Sequence, residues 1–322
     1  MLPRTLAPLM LLVCMLLAMP LPSFSQAESC ANNSAEILRE SYYSSLLGQQ
    51  MFYTVVLPPC FELGQPLLPA VYLMHGSNED DGHWVRLGAP QVLEELLAAD
   101  QIPPLMLVLP FGNVIANRNR FDSISWANIF LTELVPNVEA RYPVDPLRRA
   151  IGGISRGGFW ALQIGLRHPN LFTAIGGHSA FLDRFHAPPD FNPLDLALNA
   201  PDIERLLLLI DRGKDDYAAP GLELMDERMR ERGLDYLYVV HPEGQHNNDY
   251  WRQHVAEYLR FYASSWEPAH APSPAVPPAF ATNTPVPTPE VQAGQASGVD
   301  VFLPPAAFRS LRTSLSREEL EA

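Results

Sequence analysis

A serine set between glycines, three aspartates in one loop and two histidines in another are the residues here that could make and break an acyl bond. The stretch from Ala150 to Leu162 contains Gly153-x-Ser155-x-Gly157, the pattern of a serine exposed on a sharp strand-to-helix turn. Such a turn crowds the serine against its neighbours, and residues without Cβ leave room for it. The bare pattern arises by chance in roughly one 300-residue chain in ten, so its surroundings must decide. A serine hydroxyl is a poor nucleophile at neutral pH until a histidine accepts its proton, and that histidine needs a carboxylate to fix its tautomer and orientation. Asp211-Arg212-Gly213-Lys214-Asp215-Asp216-Tyr217 offers three acids, and the stretch from His241 to His246 two histidines. His246 follows Gly244 in a loop just before a helical stretch, where its side chain can reach the serine turn. His241 abuts a strand end and reads as structural; His254 falls inside the helical stretch and reads as a surface or packing residue.

Each of these groups needs an element to hold it. Ala70 to Met74 is a short apolar run ending at His75-Gly76-Ser77, as a buried parallel strand with a ligand-facing loop would be. Further strands are expected at Met51–Leu57, Leu105–Leu109, Arg149–Ile154, Thr173–Gly177, Arg205–Ile210 and Tyr236–Val240. Helical spacing marks Pro90–Ala99, Trp126–Tyr142 with a kink at Pro136, Gly158–Arg167, Gly221–Glu231 and Asp249–Tyr262, and Ser34–Leu47 is expected to be a short leading helix. Strand and helix alternate from Ala70 to Tyr262, which implies an α/β domain with a mostly parallel sheet covered on both faces. Ligands of such sheets gather at the carboxyl ends of the strands. The serine turn, His75-Gly76 and the loop after Ile210 all lie there.

Composition narrows the partners. The 322 residues are 47% hydrophobic, and 22 Lys plus Arg stand against 36 Asp plus Glu, a net charge of −14. That balance argues against nucleic acid or an anionic membrane as main partner. Arg4, the apolar run Leu9–Met19 and Ser25-Gln26-Ala27 read as an export signal over residues 1–27, so membrane contact is expected at most through an uncleaved N-terminus. Cys14 lies within that apolar run, which leaves Cys30 and Cys60 for one disulfide after export. Residues 28–267 form the expected catalytic domain. Closely spaced prolines mark 268–300 as an extended linker, and 301–322 as a short tail expected to be disordered, despite helical spacing at Phe308, Leu311 and Leu315. Glu79, Asp80 and Asp81 lack the spacing of a calcium loop and read as solvated, so no metal and no cofactor is expected.

The motifs together resemble the esterase D-like family of α/β-hydrolases, which includes S-formylglutathione hydrolase, siderophore, feruloyl and acetylxylan esterases, and mycolyltransferases. The resemblance runs from about Gln50 to Tyr262. It rests on Val56-Leu57-Pro58-Pro59, Tyr72-Leu73-Met74-His75-Gly76, Gly153-Ile154-Ser155-Arg156-Gly157-Gly158, Arg167-His168-Pro169, Gly213-Lys214-Asp215-Asp216 and Gly244-Gln245-His246. It implies an α/β-hydrolase fold, Ser155 as nucleophile, His246 as base and Asp216 as acid, with Asp215 the fallback and Asp211 structural. It also implies an oxyanion hole made by the backbone N–H groups of Ser77 and Arg156. Such donors are typically worth about 3 kcal/mol each.

The expected activity is that of an exported serine carboxylesterase acting on a small-molecule or glycan ester, with no large lid because the segment from Ser179 to Arg205 is short. Acyl transfer to a sugar hydroxyl would use the same residues. Glutathione thioesters belong to a cytosolic pool and fit an exported chain less well. A silent binding module on a Pro-rich stalk is the contrasting class. His178, His186, Trp84 and Trp160 are candidates for the substrate pocket or for packing, and the Arg156 side chain for an anionic substrate group or, more readily, a surface ion pair. The oligomeric state and the particular ester are not legible.

Overall fold

Runs of alternating or continuous apolar residues become eight strands of one sheet: β1 (Glu36–Ser44), β2 (Gln49–Leu57), β3 (Leu68–Met74), β4 (Met106–Pro110), β5 (Val144–Ile154), β6 (Ala174–His178), β7 (Leu207–Gly213) and β8 (Leu237–His241). The computed structural model describes residues 34–62 and 66–266. The export segment 1–27, Cys30, the linker 268–300 and the tail 301–322 lie outside the described residues. Sheet order is β1-β2-β4-β3-β5-β6-β7-β8. β1 and β2 pair antiparallel, as do β2 and β4, and every other pair is parallel.

Successive side chains on a strand face opposite sides, and here both sides are buried. Tyr72 and Val108 join a core on one face, while Val71, Leu73, Leu107 and Leu109 join a second core on the other. The helices that cover the sheet are α1 (His83–Arg86), α2 (Ala89–Ala98), α3 (Asn113–Ala116), α4 (Trp126–Ile129), α5 (Val135–Arg141), α6 (Arg156–Arg167), α7 (Pro193–Asn199), α8 (Ala219–Arg232) and α9 (Asn248–Ser264). Leu93 of α2 and Tyr258 of α9 pack on the face of Val71; Phe159 of α6 and Met225 of α8 pack on the face of Tyr72. Among the described residues, no helix is long and apolar enough to cross a membrane.

Two elements depart from the sequence reading. The segment expected as a leading helix is β1, paired with β2 from Glu36↔Leu57 to Ser44↔Gln49. Leu38 and Tyr42 are four apart, which suits a helix and a strand alike, and pairing along β2 settles the choice. The Glu133 carboxylate holds the far end of the hairpin by accepting hydrogen bonds from the Ser44 and Ser45 hydroxyls and from Leu46 N–H. The expected kink at Pro136 is a π-helical turn, Phe130–Leu134, between α4 and α5. Proline lacks an N–H and clashes with the carbonyl four residues back; the wider turn before it, closed by Val135 N–H on Phe130 O, relieves the clash.

β3 lies between β4 and β5, so the chain crosses β3 from one side to the other. Loops leaving β3 and β5 therefore diverge at a switch point, the place where open α/β sheets bind their ligands.

Candidate active site

Ser155 immediately follows β5 and caps α6 with φ 55° and ψ −114°, a sparsely populated backbone state for a non-glycine residue. Its neighbours hold it there: Ser155 N–H donates to His178 O at 2.9 Å, and Phe181 N–H donates to Ser155 O at 3.1 Å. The flanking glycines are required sterically. A Cβ on Gly153 would lie 2.4 Å from Gly157 C, and one on Gly157 would lie 2.5 Å from the backbone oxygens of Met74 and His75. The turn is thus packed directly against the end of β3.

Asp216 lies three residues beyond β7, and His246 five beyond β8. These loops are pinned together by a second close approach. A Cβ on Gly213 would lie 2.3 Å from Gly244 O, and Asp215 N–H donates to that carbonyl at 3.0 Å. The result places His246 between the other two groups. Its Nε2 lies 2.8 Å from Ser155 Oγ and its Nδ1 2.8 Å from Asp216 Oδ1. An ionised carboxylate only accepts, so Nδ1 carries the proton and Nε2 is free to accept from the serine hydroxyl. Asp216 is buried; burial pushes its pKa up, but the hydrogen bond and charge of His246 and the Ala218 N–H outweigh this and hold it below the ordinary carboxylate range. Asp215 is exposed and takes no part in this contact.

The carboxyl end of β3 supplies the facing wall. His75 Nδ1–H donates to Gly76 O at 2.7 Å, while its Nε2 accepts from Gly112 N–H at 3.0 Å. Burial lowers the pKa of His75, which suits this neutral, doubly bonded ring. The C=O and N–H of a trans peptide point in opposite directions, so fixing Gly76 O also fixes the aim of the Ser77 N–H. A Cβ on Gly76 would lie 3.8 Å from Ser155 Cβ, which puts this peptide beside the serine. Arg156 opens α6, so its N–H has no intrahelical acceptor. The Arg156 N–H thus lies next to Ser155 at the positive end of a helix, and the Ser77 N–H belongs to the peptide that follows Gly76 beside the serine.

Several residues near the site went unassigned in the sequence. His83 is buried, accepts from Gly76 N–H on Nδ1 at 3.4 Å and donates from Nε2 to Asn248 Oδ1 at 2.8 Å. It thereby ties the β3 end to the start of α9. Trp251 presents its edge to His246 with ring centroids 5.1 Å apart, and its indole N–H donates to Ser179 Oγ at 2.9 Å. Tyr217 packs on His246 with 4.1 Å between centroids and planes 34° apart, and is largely exposed. From Tyr217 an aromatic row continues to Phe181 at 6.1 Å and on to His186 at 5.3 Å.

Among the other candidates, the Arg156 side chain and Asp81 depart from expectation. Trp84 and Trp160 are buried and donate to Met74 O and Ala116 O, so both are packing residues. His178 is fully buried, bonded to Asp211 Oδ1 and to the Tyr262 hydroxyl, each at 2.7 Å. Asp211 is structural: its Oδ2 accepts from the hydroxyls of Tyr250 and Tyr258. The Arg156 side chain is neither a substrate ligand nor a surface ion pair. It is buried, donates to Ala116 O and Arg118 O, and lies over the rings of Phe159 and Trp160; burial pushes its pKa down to about 10. Asp81 is not solvated, since it is buried and accepts from Arg39 and Thr54, while Glu79 and Asp80 pair with Arg86. Cys60 is disulfide-bonded, and its expected partner Cys30 lies outside the described residues.

Comparison with known proteins adds to this geometry. Residues 44–262 match the family described as "Putative esterase". A curated relative, the endo-1,4-beta-xylanase/feruloyl esterase of Xylanibacter ruminicola, is 28% identical over 157 residues, covering 45% of this chain and 21% of the relative. The chain thus spans about a fifth of that relative's length. Among solved structures, a ferulic acid esterase superposes with TM-score 0.66 at 24% identity, covering 72% of this chain and 100% of the other. An S-formylglutathione hydrolase from Staphylococcus aureus superposes with TM-score 0.62 at 19% identity, covering 71% and 99%. At such identities the structural likeness speaks for the fold, which is that of the α/β-hydrolases.

Proposed function

This chain belongs to the esterase family, and we propose that within it the protein is an exported serine carboxylesterase working through an acyl-enzyme. The observation that carries this reading is His246, held 2.8 Å from Ser155 Oγ on one side and 2.8 Å from Asp216 on the other. In the proposed cycle, Ser155 Oγ attacks the ester carbonyl as His246 Nε2 takes its proton. The Ser77 and Arg156 N–H groups stabilise the oxyanion, and Asp216 stabilises the imidazolium. His246 then gives the proton to the departing alcohol. Water repeats the attack on the acyl-serine, His246 again taking and returning the proton, and the acid leaves.

The substrate reading is a small or polysaccharide-linked ester, and the site's walls favour an aromatic acyl group. Tyr217, Phe181 and His186 form a row leading away from His246, and Phe185, beside His186 in the chain, is 92% exposed. Flat acyl groups gain about 0.5–1.5 kcal/mol from such rings beyond area burial. The relatives named for feruloyl or ferulic acid esters agree with that preference. Export is supported by Arg4, the apolar run Leu9–Met19 and the disulfide-bonded Cys60, since disulfides persist in oxidising compartments. The test is a panel of acetyl, butyryl and hydroxycinnamoyl esters, run with and without sugar acceptors. The proposal expects free acid as main product and the highest kcat/KM on the aromatic acyl esters. Dominant acyl transfer to sugar would replace hydrolase by transferase, and no turnover of any ester would remove the reading.

A further inference from the structure

The end of β8 and one side of α9 carry a cluster that ester chemistry does not use. His241 is the last residue of β8, and His254 and Glu257 stand three apart on α9, hence on one side of that helix. One nitrogen from each histidine and one oxygen of Glu257 all lie within 4.8 Å of one another. His254 Nδ1 is 3.2 Å and His241 Nε2 3.5 Å from the same atom, Glu257 Oε2. The imidazoles pack against each other with centroids 3.7 Å apart and planes tilted by 32°. His241 Nε2 and Glu257 Oε1 are buried and have no hydrogen-bond partner among the described residues.

A tetrahedral zinc ion with ligand bonds of about 2.0–2.1 Å sets neighbouring donor atoms roughly 3.3 Å apart. The separations of 3.2 and 3.5 Å match two edges of that tetrahedron, and the two imidazole nitrogens, within 4.8 Å of each other, would close the third on binding. A histidine–carboxylate hydrogen bond accounts for His254 and leaves His241 Nε2 buried with no hydrogen bond among the described residues, only the 3.5 Å approach to Glu257 Oε2. Two imidazole nitrogens and one carboxylate oxygen suit first-row divalent ions rather than calcium or magnesium. The three side chains keep 16%, 18% and 17% of their surface exposed, which leaves a side open for a water ligand.

We propose that His241, His254 and Glu257 form a binding site for a divalent transition metal of the zinc type, stapling β8 to α9. The stapled segment is the one that carries His246, so the ion would tighten the loop holding the base without touching the reacting atoms. Tyr250 lies inside the staple, its ring 5.7 Å from His241 and 4.6 Å from His254, and its hydroxyl anchored on Asp211.

The experiment uses the full chain stripped with chelator and then given Zn²⁺ alone or Co²⁺ alone. One Zn²⁺ per chain is expected by calorimetric titration, with the melting midpoint raised roughly 5–10 °C at a hundredfold excess over Kd. Co²⁺ should give the visible absorption of a near-tetrahedral site. His254→Gln and Glu257→Gln should each weaken Zn²⁺ at least about tenfold, whereas His246→Gln should leave binding intact. Far-UV circular dichroism of the metal-free variants confirms folding. Should either variant fail to fold, the long-range ¹H–¹⁵N spectrum of the wild-type histidines decides, through shifts at His241 Nε2 and His254 Nδ1. No bound Zn²⁺, binding unaffected by both substitutions, or shifts confined to His246 would overturn the proposal.

Discussion

Replacing Asp216 by asparagine isolates the charge of the proposed triad acid from its hydrogen bonds. In the structure both His246 Nδ1–H and Ala218 N–H donate to the same oxygen, Oδ1, each at 2.8 Å. Oδ2 has no hydrogen-bond partner among the described residues. In Asp216→Asn the amide oxygen can therefore keep the Oδ1 position and the amide nitrogen can take that of Oδ2. The histidine tautomer survives, and what is lost is the attraction between carboxylate and imidazolium. At about 4 Å between charge centres and an effective dielectric near 20 this is about 4 kcal/mol. At 1.36 kcal/mol per tenfold, that is about a 10³-fold fall in kcat. A variant that inverts the tautomer in such a triad loses about 10⁴-fold, so the expected loss is the milder one. Stopped assays on a p-nitrophenyl ester measure it, with Asp215→Asn as control, expected to stay within about twofold because Asp215 is exposed. A loss under tenfold in Asp216→Asn, or an equal loss in both variants, would refute the assignment. The same carboxyl has its native pKa held below the ordinary 3.8, so it adds stability above that value and loses it as pH falls through the native pKa. The acid-unfolding curves of wild type and Asp216→Asn should accordingly converge at low pH.

Other expectations follow from the packing. Gly157→Ala should cost about 3 kcal/mol in urea unfolding or prevent folding, because its Cβ meets backbone oxygens 2.5 Å away that cannot yield; a change below 0.5 kcal/mol would contradict the close approach. Asp211→Ala should destabilise by about 3–5 kcal/mol, since two tyrosine hydroxyls and His178 lose a fully buried anionic acceptor. Loss of activity in that variant without loss of stability would mean Asp211 has a catalytic part. Tyr217→Ala should raise KM for a hydroxycinnamoyl ester up to about tenfold, as one lost aromatic contact implies, while sparing an acetyl ester. Equal effects on both would place Tyr217 with the triad rather than with the acyl group.

Much of this was legible because the two cores make strong sequence patterns. Strands buried on both faces, such as Ala70–Met74 and Leu105–Leu109, read as unbroken apolar runs. The loops after β5, β7 and β8 announce themselves through glycines, and the structure shows why: Gly153 against Gly157 and Gly213 against Gly244 leave no room for a side chain. β1 was not legible, because Leu38 and Tyr42 fit two periods and only the partner strand chooses. The inward turn of Arg156 was hidden because its acceptors, Ala116 O and Arg118 O, are backbone atoms at and just after the end of α3, about forty residues away in the chain. Asp81 is buried for a similar reason, its partners Arg39 and Thr54 arriving from β1 and β2. His83 carries no local signal at all: its role depends on Gly76 and Asn248, brought together by the sheet.

The most direct measurement of the central claim is the site of covalent labelling by a fluorophosphonate, read by peptide mass spectrometry on the full chain. A triad built on Ser155 predicts one adduct, on the peptide containing Ser155, absent from Ser155→Ala and strongly slowed in His246→Gln. Labelling that persists in Ser155→Ala, or a folded wild type that takes no label, would contradict it.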